Sequence, residues 1–248
     1  MSGNRVGILI RFLAFLLVFA AICGAFSWVA LRRAGQVYAP TEAVAPSSYT
    51  VVLDAGHGGE DGGAVSAAGI TEKELNLQIS LQITAFLRAA GVNVVLTRED
   101  DRLLYDRTQN YQGRKKALDL AARRAIAEKT ENCVFVSIHM NAYPLSQYRG
   151  LQVWYSPNHP HSRALAECLQ TKVQESLQPE NDRRIKSATS SIYLLHHLEC
   201  PAILVECGFL SNPEEAEKLS SPAYQRQLAF VLALSILQAQ RTNSIVGS

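Results

Sequence analysis

Three short apolar runs in the sequence each lead to a side chain that can bind a metal ion. In chain order they are residues 50–53 before His57, residues 133–138 before His139 and residues 202–205 before Glu206. If these runs are neighbouring parallel strands, the three side chains gather at one edge of a sheet, because ligands of open α/β sheets lie beyond the carboxyl ends of the strands.

A fourth candidate, Glu72, lies in the first turn of the helix that follows the His57 loop. The intervening segment is rich in glycine, at positions 58, 59, 62, 63 and 69. Glycine adopts backbone conformations that other residues avoid, so this segment can fold back and bring Glu72 beside His57.

Two imidazoles and one carboxylate form a ligand set for catalytic zinc and leave a fourth position open for water. Zinc lowers the pKa of that water towards about 7 and polarises a carbonyl group, which is what amide hydrolysis needs. A second carboxylate must then carry the proton from the water to the leaving amine. The sequence therefore predicts zinc bound by His57, Glu72 and His139, with Glu206 as the catalytic carboxylate.

Each of these residues also has an ordinary interpretation. Glu72 could be a carboxylate favoured by the positive end of a helix dipole, Glu206 could be half of an ion pair, and each histidine could be held by hydrogen bonds alone. The joint occurrence of all four residues, at the ends of three predicted strands and the start of one helix, favours the metal site.

The elements that must position these residues alternate along the chain. Predicted strands cover residues 50–53, 92–97, 133–138, 150–155 and 202–205, and predicted helices cover residues 72–90, 113–129, 162–176, a segment opening at 212, and 223–240. In the first helix, Leu75, Ile79, Ile83 and Leu87 recur every four positions, and residues 71–74 indicate a capping box. The alternation predicts a single α/β domain, with a mostly parallel, twisted sheet and helices on both faces.

The N-terminal part predicts a membrane segment. Residues 12–31 carry no charge, and as a helix rising ~1.5 Å per residue they would span roughly 30 Å, the thickness of a bilayer's hydrocarbon core. Residues 1–33 are thus interpreted as a transmembrane anchor or a cleaved signal peptide, followed by a linker at 34–48 and a catalytic domain at 49–241. The anchor is favoured because residues 37–39 form a poor cleavage site, and either version sends the domain across a membrane.

Charge and cysteine content disfavour other classes. The net charge of +2 is too small to favour nucleic acid as a partner, and the basic residues 114–116 and 123–124 are interpreted as the solvated face of a helix. Five cysteines show no obvious pairing. Cys200 and Cys207 flank a predicted strand and would be roughly 23 Å apart, beyond the reach of a disulfide. The fold is therefore not expected to depend on a disulfide framework.

Four sequence blocks occur in a characteristic order: LDAGHGG at 53–59 with DGGA at 61–64, TEKELNL at 71–77, SIHMNA at 137–142 and VECGFLSN at 205–212. Together they resemble the zinc-dependent N-acetylmuramoyl-L-alanine amidases of the amidase 3 family. The resemblance implies that His57, Glu72 and His139 bind zinc and that Glu206 is the catalytic carboxylate. It implies cleavage, outside the membrane, of the amide bond between the muramic acid lactyl group and L-alanine in bacterial peptidoglycan.

A narrower resemblance, to the sporulation amidases of this family, rests on residues 183–186 and 191–195 and on the short layout without wall-binding repeats. It implies a role in spore cortex maturation, where the peptide is removed before muramic-δ-lactam forms, and a location in the forespore intermembrane space. His196 and His197 stand where a lysine is expected. Since some relatives need a partner protein to bind zinc stably, the resemblance also admits an activating partner.

Two other functions stay open on the sequence alone. A zinc peptidase with a related ligand set would cut stem-peptide bonds, leaving new peptide carboxylates as products. A membrane-tethered wall-binding protein would have lost catalysis, although the presence of all four candidate residues argues against it.

Several single residues also carry expectations. Asp54 is expected to hold a ligand histidine by a hydrogen bond. Arg98 and Arg183 could contact the acidic peptide or the glycan of a substrate, but ordinary surface ion pairs are favoured. His159 and His161 have a spacing that can chelate a metal, but they are interpreted as part of a solvated loop.

Overall fold

The computed structural model describes residues 48–241, apart from residues 106–107 and 109–112, together with scattered residues between 13 and 28. The predicted membrane segment (1–33) and nearly all of the predicted linker after it therefore lie outside the described residues. Among the residues that are described, no helix combines the length and apolar character needed to cross a membrane.

The fold belongs to a compact unit spanning residues 45–248. Its described strands are β1 (Thr50–Ala55), β2 (Asn93–Leu96), β3 (Cys133–Asn141), β4 (Gln152–Tyr155), β5 (Lys186–Ser187) and β6 (Ala202–Phe209). Its described helices are α1 (Glu72–Ala89), α2 (Lys115–Lys129), α3 (Pro160–Ser176), α4 (Tyr193–His197), α5 (Pro213–Ser220) and α6 (Pro222–Arg241). These elements make one α/β domain, as predicted.

The six strands form one sheet in the order β2-β1-β3-β6-β4-β5. Neighbouring strands are parallel except for β4 and β6, which are antiparallel. The prediction of a mostly parallel sheet is therefore confirmed. Because β1, β3 and β6 are neighbours, the three strands predicted to lead to His57, His139 and Glu206 lie side by side.

Alternate side chains of the strands enter two separate cores, one on each face of the sheet. Val134, Val136 and Ile138 of β3 pack with α1, α3 and α6 in the larger core. Cys133 and Phe135 pack with α2 and α4 in the smaller core on the other face. Helices on both faces are confirmed, and the period of two sends alternate apolar residues of β3 to opposite cores.

Helix α1 begins at Glu72, as predicted, but the expected capping box does not form. Thr71 at the N-cap makes no capping hydrogen bond through its side chain. The glycine-rich loop satisfies the first turn instead, because the N–H of Glu72 donates to the carbonyl of Ala64 at 2.9 Å and that of Lys73 to Gly62 at 3.2 Å. The fold-back that brings Glu72 towards His57 therefore also caps the helix.

The sequence pattern does not predict β5 or α4. Strand β5 has two residues and helix α4 has five. Such short elements cannot show a recognisable hydrophobic periodicity within a polar segment. Helix α4 nevertheless matters to function, because it forms one wall of the cleft that contains His57, His139 and Glu206.

Candidate metal centre

The loop after β1 carries His57 in an unusual backbone conformation. The φ angle of His57 is 61°, in the left-handed region that non-glycine residues rarely adopt. Directly before it, Gly56 lies so close to His139 that a Cβ at this position would overlap the imidazole ring. Glycine is thus required here by a close approach, which brings the two histidine rings to a centroid distance of 5.0 Å.

Glu72 lies between the two histidines. Its Oε1 is 3.3 Å from His57 Nε2 and 2.9 Å from His139 Nδ1. Backbone amides hold the carboxylate in place, since Met140 N–H donates to Oε1 at 3.0 Å and Ala64 N–H donates to Oε2 at 2.8 Å. Burial by itself would raise the pKa of Glu72, but the bonds to His139 and His57 outweigh it and lower that pKa well below its usual range.

One nitrogen from each histidine and one oxygen from Glu72 lie within 4.8 Å of one another, close enough to share a metal ion. Among the described residues this is the one group of three or more such side chains. Two histidine imidazoles and one carboxylate form a set of donors that suits zinc. The structure therefore brings together all three residues that the sequence predicts as metal ligands, and they fit the ion.

Glu206 lies directly opposite His139 in the register between β3 and β6. Its Oε2 is buried and has no hydrogen-bond partner among the described residues. Burial raises the pKa of Glu206 to about 7, and the neighbouring histidines oppose this only in part. A carboxylate with an unused oxygen and a pKa near neutrality beside the donor cluster has the properties of a general base.

Asp61 contacts the remaining ring nitrogen of His57, with Nδ1 and Oδ2 2.9 Å apart. Asp61 is not among the residues predicted from the sequence, although its place four residues after His57 in a tight glycine loop could have suggested the contact. A carboxylate in this position fixes the orientation of a metal-binding imidazole. Burial by itself would lower the pKa of His57, but Glu72 and Asp61 together outweigh it and raise that pKa.

Two buried arginines hold the His57 loop through its carbonyl groups. Arg98 donates to Ala55 O at 2.9 Å and to Gly56 O at 3.0 Å, and also reaches Lys73 O at the start of α1. Arg123 donates to Ala55 O and to His57 O, both at 2.7 Å. Each residue is 1% exposed, so the expectations of a surface ion pair for Arg98 and of a solvated face for Arg123 are wrong.

The expectation that Asp54 supports a ligand histidine is also wrong. Its carboxylate accepts hydrogen bonds from Thr97 Oγ1 at 2.7 Å, Ser137 Oγ at 2.6 Å and Arg123 Nη1 at 2.6 Å. Burial alone would raise its pKa, but Arg123 and the two hydroxyls lower it. Asp54 therefore acts one step further from the site, by neutralising the arginine that holds the loop.

Arg183, His159 and His161 are the other residues for which the sequence gives an expectation. Arg183 forms no ion pair with another described residue: its guanidinium lies 4.4 Å from the ring centre of Phe209 and donates to Arg149 O. His159 is the N-cap of α3 and accepts from the N–H of His161. Neither histidine belongs to a metal-binding group among the residues that the structure describes.

An open cleft of about 270 Å³ lies over the donor cluster. His57, His139 and Glu206 form its floor, and α2 and α4 form its other side. The lining from these helices includes Lys116, Leu120, Tyr193 and Leu194. A polar floor with a mixed apolar wall suits a substrate that has both polar and aliphatic parts.

Comparison with known proteins gives a consistent result. Residues 51–238 match the family described as N-acetylmuramoyl-L-alanine amidase (Amidase_3). The chain is 34% identical over 192 residues to the germination-specific N-acetylmuramoyl-L-alanine amidase of Bacillus subtilis, covering 77% of this chain and 80% of that protein.

Solved structures agree with this match. The CwlD amidase of Clostridioides difficile, solved in complex with the GerS lipoprotein, superposes with a TM-score of 0.74 at 35% identity, covering 79% of this chain and all of that one. An N-acetylmuramoyl-L-alanine amidase from Clostridium difficile 630 superposes with a TM-score of 0.68 at 32% identity, covering 78% of this chain and 97% of that one.

Gly56→Ala tests the close approach between the His57 loop and His139. Because the new Cβ overlaps the imidazole, we expect metal affinity to fall by about tenfold or more, as for other changes that displace a ligand. Gly62→Ala is the matched control, since its Cβ would enter open space. Competition with a chromogenic chelator measures both, and equal affinities in the two variants would contradict the steric argument.

Arg123→Ala tests the support of the loop. It leaves Asp54 and Asp119 buried without their cation, so we expect the free energy of unfolding to fall by about 3–5 kcal/mol. The neighbouring Arg124, paired with Glu128 at the surface, is the control, and its alanine variant should be nearly as stable as the parent. Urea unfolding monitored by circular dichroism would decide, and similar midpoints for both variants would refute this role.

Glu206→Gln tests the cost of burying this carboxylate in the metal-free protein. The folded-state pKa of about 7 exceeds the ordinary 4.5, so the parent loses stability as pH rises between these values and the loss is complete above about 7. At 1.36 kcal/mol per pKa unit, the variant should be more stable than the parent by on the order of 3 kcal/mol at about pH 8, and equally stable at about pH 4. Thermal unfolding in chelator across this range is the measurement, and parallel curves for the two proteins would exclude the shift.

Proposed function

Since this chain belongs to the N-acetylmuramoyl-L-alanine amidase family, we propose that it cleaves peptidoglycan at a zinc centre held by His57, Glu72 and His139, with Glu206 as the catalytic carboxylate. The family match covers residues 51–238 and fixes the reaction as hydrolysis of the amide between N-acetylmuramic acid and L-alanine. The metal and the residue roles go beyond that match. They rest on the grouping of the three donors within 4.8 Å beside Glu206.

A bound zinc ion would polarise the lactyl carbonyl and lower the pKa of the attacking water. Glu206 takes one proton from that water as its oxygen bonds to the carbonyl carbon. The carbon–nitrogen bond then breaks, and Glu206 returns the proton to the alanine nitrogen, which leaves as an amine. The unpartnered Oε2 of Glu206 is the atom that suits this transfer, because no hydrogen bond within the described protein competes for it.

The remaining residues of the site position these groups. Amides of Ala64 and Met140 fix both oxygens of Glu72, and Asp61 contacts the outer nitrogen of His57. With its ligands held in this way, the centre needs little reorganisation when the metal binds. The cleft between this floor and helix α4 would receive the muramoyl peptide.

A role in spore cortex maturation is proposed on the relatives. The Bacillus subtilis protein is named a germination-specific amidase, and the Clostridioides difficile protein is named the CwlD amidase. The sequence blocks at 183–186 and 191–195 agree with this assignment. On this proposal the product is a peptide-free muramic acid, from which muramic-δ-lactam can form.

The location and a partner follow from the same relatives. Amidases that act on the cell wall work outside the cytoplasm, and we propose that residues 1–33 deliver or anchor the domain of residues 49–241 there. The Clostridioides difficile relative is in complex with a lipoprotein, which supports an activating partner of that kind for this chain. No observation on the molecule favours the peptidase or the non-catalytic alternative over the amidase.

Muropeptide analysis of peptidoglycan digested by the full-length protein tests the proposal. We expect zinc to be required for release of intact stem peptides, and Glu206→Gln to retain zinc while release falls by between about 100- and 10,000-fold. His139→Ala should lose the metal as well as the activity, whereas His161→Ala, a histidine outside the cluster, should keep both. Zinc content is measured on the same samples.

Two results would count against the proposal. Cleavage at peptide bonds, detected as new peptide carboxylates, would establish the peptidase instead. Full activity of Glu206→Gln would remove Glu206 from the mechanism, even if zinc proved necessary.

A further inference from the structure

Two cysteines meet at the end of the sheet opposite the metal centre. The sulfurs of Cys133 and Cys200 are 3.4 Å apart. Cys133 is the first residue of β3, and Cys200 lies two positions before β6. Since Phe135 is paired with Ala202 in this parallel register, stepping back two residues along each strand places Cys133 opposite Cys200.

The backbone here meets the requirements of a disulfide. Neighbouring strands are about 4.8 Å apart, and disulfides join residues whose Cα atoms are about 4.4–6.8 Å apart. Both side chains point to the same face, because both pack in the core beneath α2 and α4. The sulfurs need only approach from 3.4 Å to a bond of about 2.0 Å.

A reagent can reach this pair. Both cysteines line an open cavity of about 580 Å³, together with His159, His161 and Glu199. Cys133 is buried and Cys200 is partly exposed. Contact with the Cys133 sulfur, 3.4 Å away, lowers the pKa of Cys200, which makes Cys200 the thiolate that reacts first.

We propose that Cys133 and Cys200 form a disulfide once the domain is outside the cytoplasm. The oxidant is a small-molecule or protein disulfide, such as oxidised glutathione or the active-site disulfide of an oxidoreductase. The Cys200 thiolate attacks one sulfur of this oxidant and displaces the other as a thiolate. The Cys133 thiolate then attacks the Cys200 sulfur and displaces the second. Two protein thiols become one disulfide, and the oxidant becomes two thiols by taking up the two protons that the protein thiols release.

The disulfide would link the strands that carry His139 and Glu206, at the strand ends remote from those two residues. Strand β3 delivers His139 and strand β6 delivers Glu206 at the opposite edge of the sheet. Closing the 67-residue separation between the cysteines constrains the unfolded chain, and the stabilisation grows with loop length. The disulfide therefore strengthens the pairing of β3 and β6 without touching the metal centre. The location outside the cytoplasm rests on the proposed function, but the sulfur geometry does not.

Redox titration of the full-length protein in detergent tests the inference. The protein is equilibrated with mixtures of reduced and oxidised glutathione, free thiols are counted, and the linked peptides are mapped by mass spectrometry without reduction. We expect two thiols to disappear together, one linked peptide pair containing Cys133 and Cys200, and a melting temperature raised by roughly 10 °C over the reduced protein.

Two variants separate this effect from general oxidation. Cys168→Ala removes a cysteine whose sulfur contacts Ser235 O in another part of the fold, and it should keep the redox-dependent shift. The double variant Cys133→Ala with Cys200→Ala should lose it. These readouts do not depend on activity, so an inactive protein would fail the proposed function and leave the disulfide to be judged separately.

The inference is overturned if both thiols stay free in fully oxidised glutathione, if the bond forms between other cysteines, or if it lowers the melting temperature. Should the double variant not fold, thiol counting and peptide mapping on the parent protein still decide.

Discussion

The site depends on two buried guanidinium groups that hold the backbone of one loop. The carbonyls of Ala55, Gly56 and His57 all accept hydrogen bonds from Arg98 or Arg123. Burying two cations is expensive unless their charge and hydrogen-bonding groups are satisfied. Asp54 and Asp119 pair with Arg123, and backbone carbonyls accept the hydrogen bonds of Arg98. In return the loop keeps His57 at a positive φ, with Gly56 against His139. Without this support, the left-handed conformation and the close ring contact would relax, because neither is favourable by itself.

The two ends of the parallel sheet carry two different groups of reactive side chains. At the carboxyl ends of β1, β3 and β6 the chain presents His57, His139 and Glu206 on the face beneath α2 and α4. At the amino ends of β3 and β6, on the same face, it presents Cys133 and Cys200. One register between two strands sets both pairs, since His139 lies opposite Glu206 and Phe135 opposite Ala202. A slip of β6 by one residue against β3 would turn Glu206 to the other face of the sheet, away from His139.

The sequence predicts the ligands better than it predicts their support. Apolar runs followed closely by histidine or glutamate identify His57, His139 and Glu206, because the carboxyl ends of neighbouring parallel strands lie at one edge of a sheet whatever the details of packing. The roles of Arg98 and Arg123 are not predicted, because the sequence alone does not distinguish a buried arginine from a solvated one. Only the fold shows which groups each arginine contacts. The capping box fails for a related reason: the folded-back glycine-rich loop before α1 supplies the carbonyls that cap the helix. Cys133 and Cys200 are 67 residues apart, and their pairing needs the strand order and register, which a single sequence does not contain.

The most direct test of the proposed zinc site is an anomalous diffraction measurement at the zinc edge on crystals of the zinc-loaded protein. We expect one strong peak bonded to His57, Glu72 and His139 at about 2.0–2.2 Å, with Glu206 nearby but not bonded and an open position towards the cleft. A zinc ion bonded to Glu206 in place of Glu72, or a site elsewhere on the molecule, would contradict this assignment.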